Sequence, residues 1–302
     1  KQSFSIKGNR KNKALVEHVA EAVFTVCALL AVVAVASITV YMIINGTPAL
    51  FKVGIKEILF GTVWQPAAKD PSFGILYVIL TSIVGTTAAV LIGAPVGILT
   101  AVFIEEIASP RLAAIVKPAV ELLAGIPSVI YGLLGIYLLN PMMYKLEIAL
   151  FADAPDHQFT GGANLISAVI VLAVMILPTV INVTVSALHA VPKQQKAASL
   201  AMGATRIQTI FKVLLPSARS GIAAAVVLGT GRAIGEAMAI TLVSGSSVNM
   251  PLPFNSVRFL TTAIVAEMGY AAGLHRQVLF TIGLVSVSYT HLRAHETRSN
   301  LV

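Results

Sequence analysis

The sequence predicts an all-α, polytopic membrane protein with about six transmembrane helices, the last of them truncated or replaced. Of its 302 residues, 57% are hydrophobic and only 11% are charged, and the mean hydropathy is +0.86. A soluble globular domain carries about 25% charged residues. So small a charged fraction cannot cover an aqueous surface of this size, but it suits a protein whose solvent is partly lipid.

Apolar runs of spanning length support this fold class. A helix needs about 20 mostly apolar residues to cross a bilayer. Five runs reach that length, and they cover residues 19–44, 73–104, 118–139, 165–188 and 221–243. The second run is long and contains Gly93 and Pro95, so we predict either a tilted, kinked helix or one span with an extension.

The sixth apolar run, Val278 to Val287, is too short to span. A helix of that length rises about 15 Å, which is half a bilayer core. The residues after it, 288–302, are polar, and we interpret them as a non-native tail in place of the true last helix. His291 and His295 in this tail are spaced i, i+4, but Leu292 stands where the HExxH zinc motif needs Glu. We expect no metal site there.

Basic residues concentrate in loops at alternate crossings. The segment 1–18 is basic, and the loop 189–219 holds basic residues without any acid, namely Lys193, Lys196, Arg206, Lys212 and Arg219. Since loops rich in Lys and Arg stay in the cytoplasm, we place the N-terminus and this loop there. The net charge of +8 is then better explained by cytoplasmic loops than by a nucleic-acid-binding surface. The transmembrane domain covers 19–287.

The loop 189–219 combines a turn with an apolar face. Gly203 permits a sharp turn between two short helices. After it, Ile207, Ile210, Phe211 and Leu214 recur at helical spacing and form one face. This face could pack on the protein's own bundle or on lipid headgroups, or it could enter a groove of a partner protein.

The fifth apolar run contains two charges, in the stretch from Gly229 to Ile240. A charged residue in a membrane helix costs about 3 kcal/mol on insertion scales. Arg232 and Glu236 are spaced i, i+4, so we expect them to share a helix face and to pair. The pair is either structural or part of an ion pathway, in which the guanidinium suits an oxyanion. The neighbouring Gly229, Gly231 and Gly235 would allow close approach of a helix or a ligand.

Other motifs exclude function classes or indicate ordinary structure. The glycines follow GxGxxxG rather than the dinucleotide pattern GxGxxG, and no Walker A sequence occurs, so the chain needs a separate ATPase if ATP drives it. No cofactor is expected. We expect Glu105, Glu106 and Glu121 to be solvated or to cap helices, Trp64 to anchor at the membrane interface, and Asp153, Asp156 and His157 to lie in a solvated loop.

The loop resembles the cytoplasmic loop of ABC importer permeases. That family's pattern is Glu-Ala-Ala, three residues, Gly, nine residues, then Ile-x-Leu-Pro. Gly203 and the segment Val213 to Pro216 match its second half, whereas Ala197 stands where the family has Glu. The resemblance implies a type I ABC importer permease fold. It also implies that the loop couples to an ATPase through Ala197, Ala198, Gly203, Ala204, Arg206, Ile207, Phe211 and Pro216.

Within those permeases, residues 14–287 resemble the PstC family of phosphate permeases. Its fifth span carries a similar Gly-Arg-Ala-Ile-Gly-Glu stretch, and residues 74–97 and 124–135 resemble it too. The resemblance implies that Arg232 and Glu236 line a phosphate pathway in a multi-pass protein of the bacterial inner membrane. The implied partners are a PstA-like second permease, a PstB-like ATPase dimer and a PstS-like extracytoplasmic phosphate-binding protein.

Two alternatives remain open from the sequence. One is a permease for another oxyanion, molybdate or sulfate. The other is an intramembrane enzyme, which is disfavoured because the apolar runs contain no paired catalytic carboxylates and no Ser/His or metal-ligand set.

Overall fold

The computed structural model describes the backbone of residues 10–155 and 157–299 and the side chains of residues 17–155 and 157–290. Its helices are α1 (Arg10–Lys52), α2 (Ile55–Phe60), α3 (Leu76–Val102), α4 (Pro110–Gly125), α5 (Ser128–Leu134), α6 (Asn140–Phe151), α7 (Leu165–His189), α8 (Lys193–Ala201), α9 (Arg206–Thr209), α10 (Leu215–Ser217), α11 (Arg219–Gly235), α12 (Met238–Val243), α13 (Leu260–Glu267) and α14 (Gly273–Ser299). The π-helical turns Phe103–Ile107, Gly135–Leu139 and Ile210–Leu214 continue α3, α5 and α9. Strands β1 (Trp64–Gln65) and β2 (Ser72–Phe73) form an antiparallel hairpin in which Trp64 pairs with Phe73.

Helical segments of spanning length confirm the predicted all-α membrane architecture. In the described part of the chain, four are long and apolar enough to cross a membrane, and they are Glu17–Lys52, Leu76–Ile107, Ser128–Phe151 and Leu165–His189. Arg206–Ser217 and Arg219–Gly235 count as a fifth if the pair, bent by 71°, is one span. The described residues therefore give four or five candidate spans rather than six. The last helix, α14, is not among them.

Two predicted spans have the wrong bounds because the chain breaks inside them. The run 118–139 is interrupted after Gly125, where Ile126 is extended (φ −70°, ψ 127°) and Pro127 precedes α5. A residue before proline is disfavoured in the α conformation, which accounts for the break. The run 221–243 is interrupted at Glu236, which is also extended (φ −73°, ψ 133°). The sequence pattern showed the apolar length of both runs but not these interruptions.

The centre of the bundle is α7, which packs between α3 and α11. The contact depends on small residues facing a branched one. Val180 is fully buried, and a Cβ added at Gly97 of α3 or at Gly229 of α11 would lie 2.8 Å from its Cγ atoms. The backbones of both helices can therefore approach α7 closely only because these positions lack a side chain.

A second apolar cluster joins α1 and α14 at the edge of the bundle. It includes Ala49, Ile58, Val278 and Ile282. Thr281 Oγ1 donates to the Gly46 carbonyl at 2.9 Å, which ties the two helices together. The apolar segment of α1 before this contact is exposed, as expected of a helix surrounded by lipid.

The polar stretch after Val287 continues α14 as helical backbone to Ser299. The side chains of His291 and His295 lie outside the described residues, as does Asp156. The non-native origin of 288–302 and the division of the chain at residues 18 and 287 stay predictions.

Candidate functional site

Two interrupted helices pack against each other inside the bundle. In one, α4 and α5 are separated by Ile126 and Pro127; in the other, α11 and α12 are separated by Glu236 and Ala237. The halves α5 and α12 pack closely, since a Cβ added at Gly132 would lie 2.9 Å from the Cα of Ala239. Interrupted helices expose backbone groups at membrane depth, and this is tolerated where protein or a polar cavity surrounds them.

Arg232 lies in the last turn of α11, just before one of these interruptions. Its position is about 20 Å along the helix axis from Arg219. The side chain is half-buried, and none of the described carboxylates forms an ion pair with it. It is close enough to Tyr131 of α5 for a Coulombic interaction. A guanidinium in an apolar setting without a carboxylate partner can attract an anion.

The predicted pairing of Arg232 with Glu236 is wrong in this structure. The helix ends at Gly235, so the two residues do not share a helix face. Glu236 instead accepts from the Ala239 backbone N–H through Oε1 at 3.0 Å, and its carbonyl accepts from Thr261 at 2.7 Å. The carboxylate stabilises the interruption and leaves Arg232 without its expected counter-charge.

A small polar cavity lies beside Glu236. Ser82 and Thr86 of α3, Thr261 of α13 and Tyr289 of α14 contribute to its walls. Its volume of about 10 Å³ is room for about one water molecule. Of the two predicted pathway residues, Glu236 therefore lines a polar pocket inside an otherwise apolar bundle, whereas Arg232 is not part of its wall.

The three glycines of the Arg232 segment differ in their surroundings. Gly229 faces Val180, whereas an added Cβ at Gly231 or Gly235 would meet open space. The expected close helix approach is therefore present at Gly229. The open sides of the other two glycines leave room beside Arg232.

The loop 189–219 has the predicted shape. Helix α8 ends before Gly203, which adopts φ +83°, and α9 begins two residues after Ala204. Thr205 and Gln208 form a capping box that fixes the start of α9. We call residues 193–217 the coupling segment.

The apolar residues of the coupling segment divide between two faces. Ile210 and Leu214 are buried against the ends of α3 and α7, together with Val102 and Leu188. The predicted single face is therefore only half right, because Ile207 and Phe211 point outward and are 58% and 51% exposed. The predicted contact residues Ala197, Ala198, Gly203, Arg206, Ile207, Phe211 and Pro216 are all exposed, and Ala204 is half-buried.

Glu105 and Glu106, expected to be solvated or capping, instead form ion pairs at this end of the bundle, and Glu106 binds the coupling segment. Glu106 is buried and lies 2.5 Å from Lys196 Nζ. Glu105 lies 3.0 Å from both Lys117 and His189. The sequence shows two adjacent acids and several basic loops, but it does not indicate that Glu106 pairs with Lys196, which is far away along the chain.

At the other end of the bundle, two buried carboxylates hold the loops. Glu147 is fully buried and accepts from Thr160, and it lies 2.9 Å from His157. The expectation of a solvated loop around His157 is therefore wrong. Glu267 contacts Arg258 and His275 and accepts from Trp64 Nε1 at 3.1 Å, so the indole of Trp64 is held by protein. Among the described residues, no group of His, Cys, Asp and Glu could hold a metal ion.

Known proteins resemble the chain over most of its length. It is 38% identical over 282 residues to the protein named "Probable ABC transporter permease protein YqgH" of Bacillus subtilis, covering 92% of this chain and 88% of that protein. It is 30% identical to the phosphate transport system permease protein PstC of Haemophilus influenzae, covering 91% and 89%. One solved structure, a bacterial ABC transporter involved in alginate import, superposes with a TM-score of 0.61 over 95% of this chain and 99% of the other. At 18% identity it supports the fold alone.

The family model of the binding-protein-dependent transport system inner membrane component matches residues 93–290. This range contains the central helix α7, the coupling segment and the Arg232 site. The chain therefore belongs to the family of binding-protein-dependent transport system inner membrane components, the permeases of ABC importers.

Proposed function

We propose that the chain is the permease subunit of an ATP-driven importer that moves inorganic phosphate across the bacterial inner membrane. The observation that carries this is Arg232, a half-buried guanidinium at a helix interruption that forms no ion pair with any described carboxylate. Planar N–H donors bind tetrahedral oxyanions through two parallel hydrogen bonds. Relatives named phosphate transport system permease protein PstC support phosphate as the anion.

Transport requires the site to be open to one side of the membrane at a time. Arg232 would hold the anion while the two halves of the pathway change orientation. Glu236, four residues on, would repel the anion and weaken the hold of Arg232, so that release stays fast. The open space beside Gly235 would allow the two charges to approach during this change.

ATP hydrolysis would take place on a separate subunit. The exposed outer face of the coupling segment, with Met202, Ile207 and Phe211, would fill a groove of a PstB-like ATPase dimer. A PstA-like second permease would complete the pathway, and a PstS-like extracytoplasmic protein would deliver phosphate. With the coupling segment in the cytoplasm, the N-terminus also lies there, as the basic residues indicate.

The test of the pathway is phosphate uptake by cells that lack their own importer and express the variant. Arg232→Gln removes the charge and should abolish uptake. Arg232→Lys keeps the charge but loses the two-pronged geometry, so we expect partial uptake. Arg276→Gln, an exposed arginine of α14, is the matched control and should transport normally. Normal uptake by Arg232→Gln would refute the proposed role.

The choice of anion is tested separately. Labelled phosphate uptake is measured with excess molybdate, sulfate or unlabelled phosphate present. Only unlabelled phosphate should compete. Competition by molybdate or sulfate at similar concentration would assign the permease to a different oxyanion.

A further inference from the structure

The cytoplasmic end of α3 carries two adjacent carboxylates on a π-helical turn, Phe103–Ile107. Single π-helical turns within α-helices occur often at functional positions. The turn directs Glu105 and Glu106 toward different parts of the cytoplasmic surface. Glu105 contacts Lys117 of α4 and His189 at the end of α7. Within the described part of the chain, the polar side-chain partners of Glu106, Lys196 and Arg206, both belong to the coupling segment.

Glu106 contacts two helices of the coupling segment, α8 and α9, at once. Its carboxylate is 2.5 Å from Lys196 Nζ of α8. Its backbone carbonyl accepts from Arg206 Nη2 of α9 at 2.5 Å. Since α8 and α9 flank the turn at Gly203, one residue of a membrane-spanning helix fixes both sides of that turn.

An apolar contact supports the same connection. Ile210 and Leu214 of the coupling segment pack on Val102, in the turn of α3 that precedes Glu106. If the coupling segment moved and α3 did not, the buried apolar surfaces between them would therefore separate. It would also leave the Glu106 carboxylate, whose side chain is only 8% exposed, without its cation. An uncompensated buried charge is strongly unfavourable.

The route continues from α3 to the Arg232 site. Helix α3 packs along α7 and also touches α11, the helix that ends beside Arg232. Ser82 and Thr86 of α3 line the polar cavity next to Glu236. Helix α3 thus contacts the coupling segment at one end and lines the polar cavity beside Glu236 along its length.

We propose that Glu106 is a positioning residue that transmits movement of the coupling segment to α3 and so links ATP hydrolysis to opening of the anion pathway. This rests on the proposed function, because the movement originates in the ATPase. Lys196, next to Ala197, is its partner on the segment. Glu106 contacts neither the anion nor ATP in this role.

The test uses the importer complex, purified through a tag on this chain and reconstituted in vesicles with phosphate-binding protein. Three quantities are measured: ATPase co-purification, ATP hydrolysis, and phosphate transported per ATP. The variants are Glu106→Gln and Lys196→Gln, which break the pair from opposite sides, and the charge exchange Glu106→Lys with Lys196→Glu. Glu121→Gln, an exposed cytoplasmic-side acid of α4 without an ion pair in the described structure, is the control.

We expect both single variants to retain the ATPase and basal ATP hydrolysis but to transport roughly 2- to 30-fold less phosphate per ATP, the range that coupling residues give. The charge exchange should recover most of that loss, and Glu121→Gln should show none. An unchanged ratio in both single variants would overturn the inference. So would loss of folding or of the ATPase in all three pair variants, which indicates a purely structural role. If the unaltered chain itself retains no ATPase, the proposed function fails, and the inference fails with it.

Discussion

The charges of the Arg232 segment show how a single backbone conformation changes the chemistry of a residue pair. In a continuous helix, Arg232 and Glu236 would neutralise each other. Because Glu236 is extended, its carboxylate binds the Ala239 N–H instead, and Arg232 has no ion-pair partner in the described part of the chain. The position at which α11 ends therefore determines whether Glu236 neutralises the charge of Arg232.

Gly203 is the residue on which the shape of the coupling segment depends. Its φ of +83° lies in the left-handed region, where a residue with a Cβ costs about 1–2 kcal/mol. We expect Gly203→Ala to open the segment and to raise its rate of limited proteolysis in membranes about 5- to 30-fold, the equivalent of that free energy. ATPase co-purification should fall in parallel.

Gly269→Ala is the control for this prediction. Gly269 has no positive φ and no atom close to an added Cβ, so its substitution should leave proteolysis of the coupling segment unchanged. Equal proteolysis of the two variants would mean that the turn is not strained by a side chain at Gly203.

Among the helices, the packing of α11 on α7 includes a close approach at Gly229. A Cβ at Gly229 would lie 2.8 Å from Val180 Cγ2, whereas Gly231 on the same helix faces open space. We expect Gly229→Ala to lower the free energy of unfolding by about 1–3 kcal/mol through overpacking. Gly231→Ala should be neutral or slightly stabilising because alanine favours a helix. Thermal unfolding in detergent measures both.

The double variant Gly229→Ala with Val180→Ala identifies the cause. If the contact with Val180 is responsible, the double variant should lose less stability than the sum of the two single variants. Additive losses would place the strain of Gly229→Ala elsewhere.

Buried or half-buried carboxylates lie at both ends of the helix bundle, but they have different partners at each end. The coupling segment end carries Glu105 and Glu106 with their cations, and the loops at the other end are held by Glu147 and Glu267. Loops outside the membrane gain no stabilisation from lipid, and here buried carboxylates that bind several donors hold the loops in place. The apolar helices between them need no such contacts, because lipid or neighbouring helices surround them.

The predicted orientation is testable by labelling with a membrane-impermeant maleimide. In a Cys27→Ser background, Met250→Cys in the loop after α12 should be labelled in spheroplasts, since it is exposed on the side opposite the coupling segment. Gln194→Cys in α8 should be labelled only after the membrane is opened. The reverse pattern would place the N-terminus outside.

Much of the architecture could be predicted from the sequence because lipid imposes a simple rule. Every spanning segment must be apolar over a fixed length, and cytoplasmic loops are basic. The runs 19–44 and 165–188 therefore correspond closely to Glu17–Lys52 and Leu165–His189. The turn at Gly203 was also predictable, since a glycine between two short helical patterns indicates a left-handed residue.

From the amino-acid sequence alone it follows that this chain is a helical membrane protein, that its basic residues concentrate in certain loops, and that a few residues are candidates for binding an anion or a partner. Only the folded structure reveals that Arg232 forms no ion pair within the described residues, that Ile207 and Phe211 face outward, and that Glu106 binds Lys196. The physical reason is the distance along the chain over which each property acts. Hydropathy and turn preference are local properties of the chain, whereas a helix interruption and a buried ion pair depend on residues that only folding brings together.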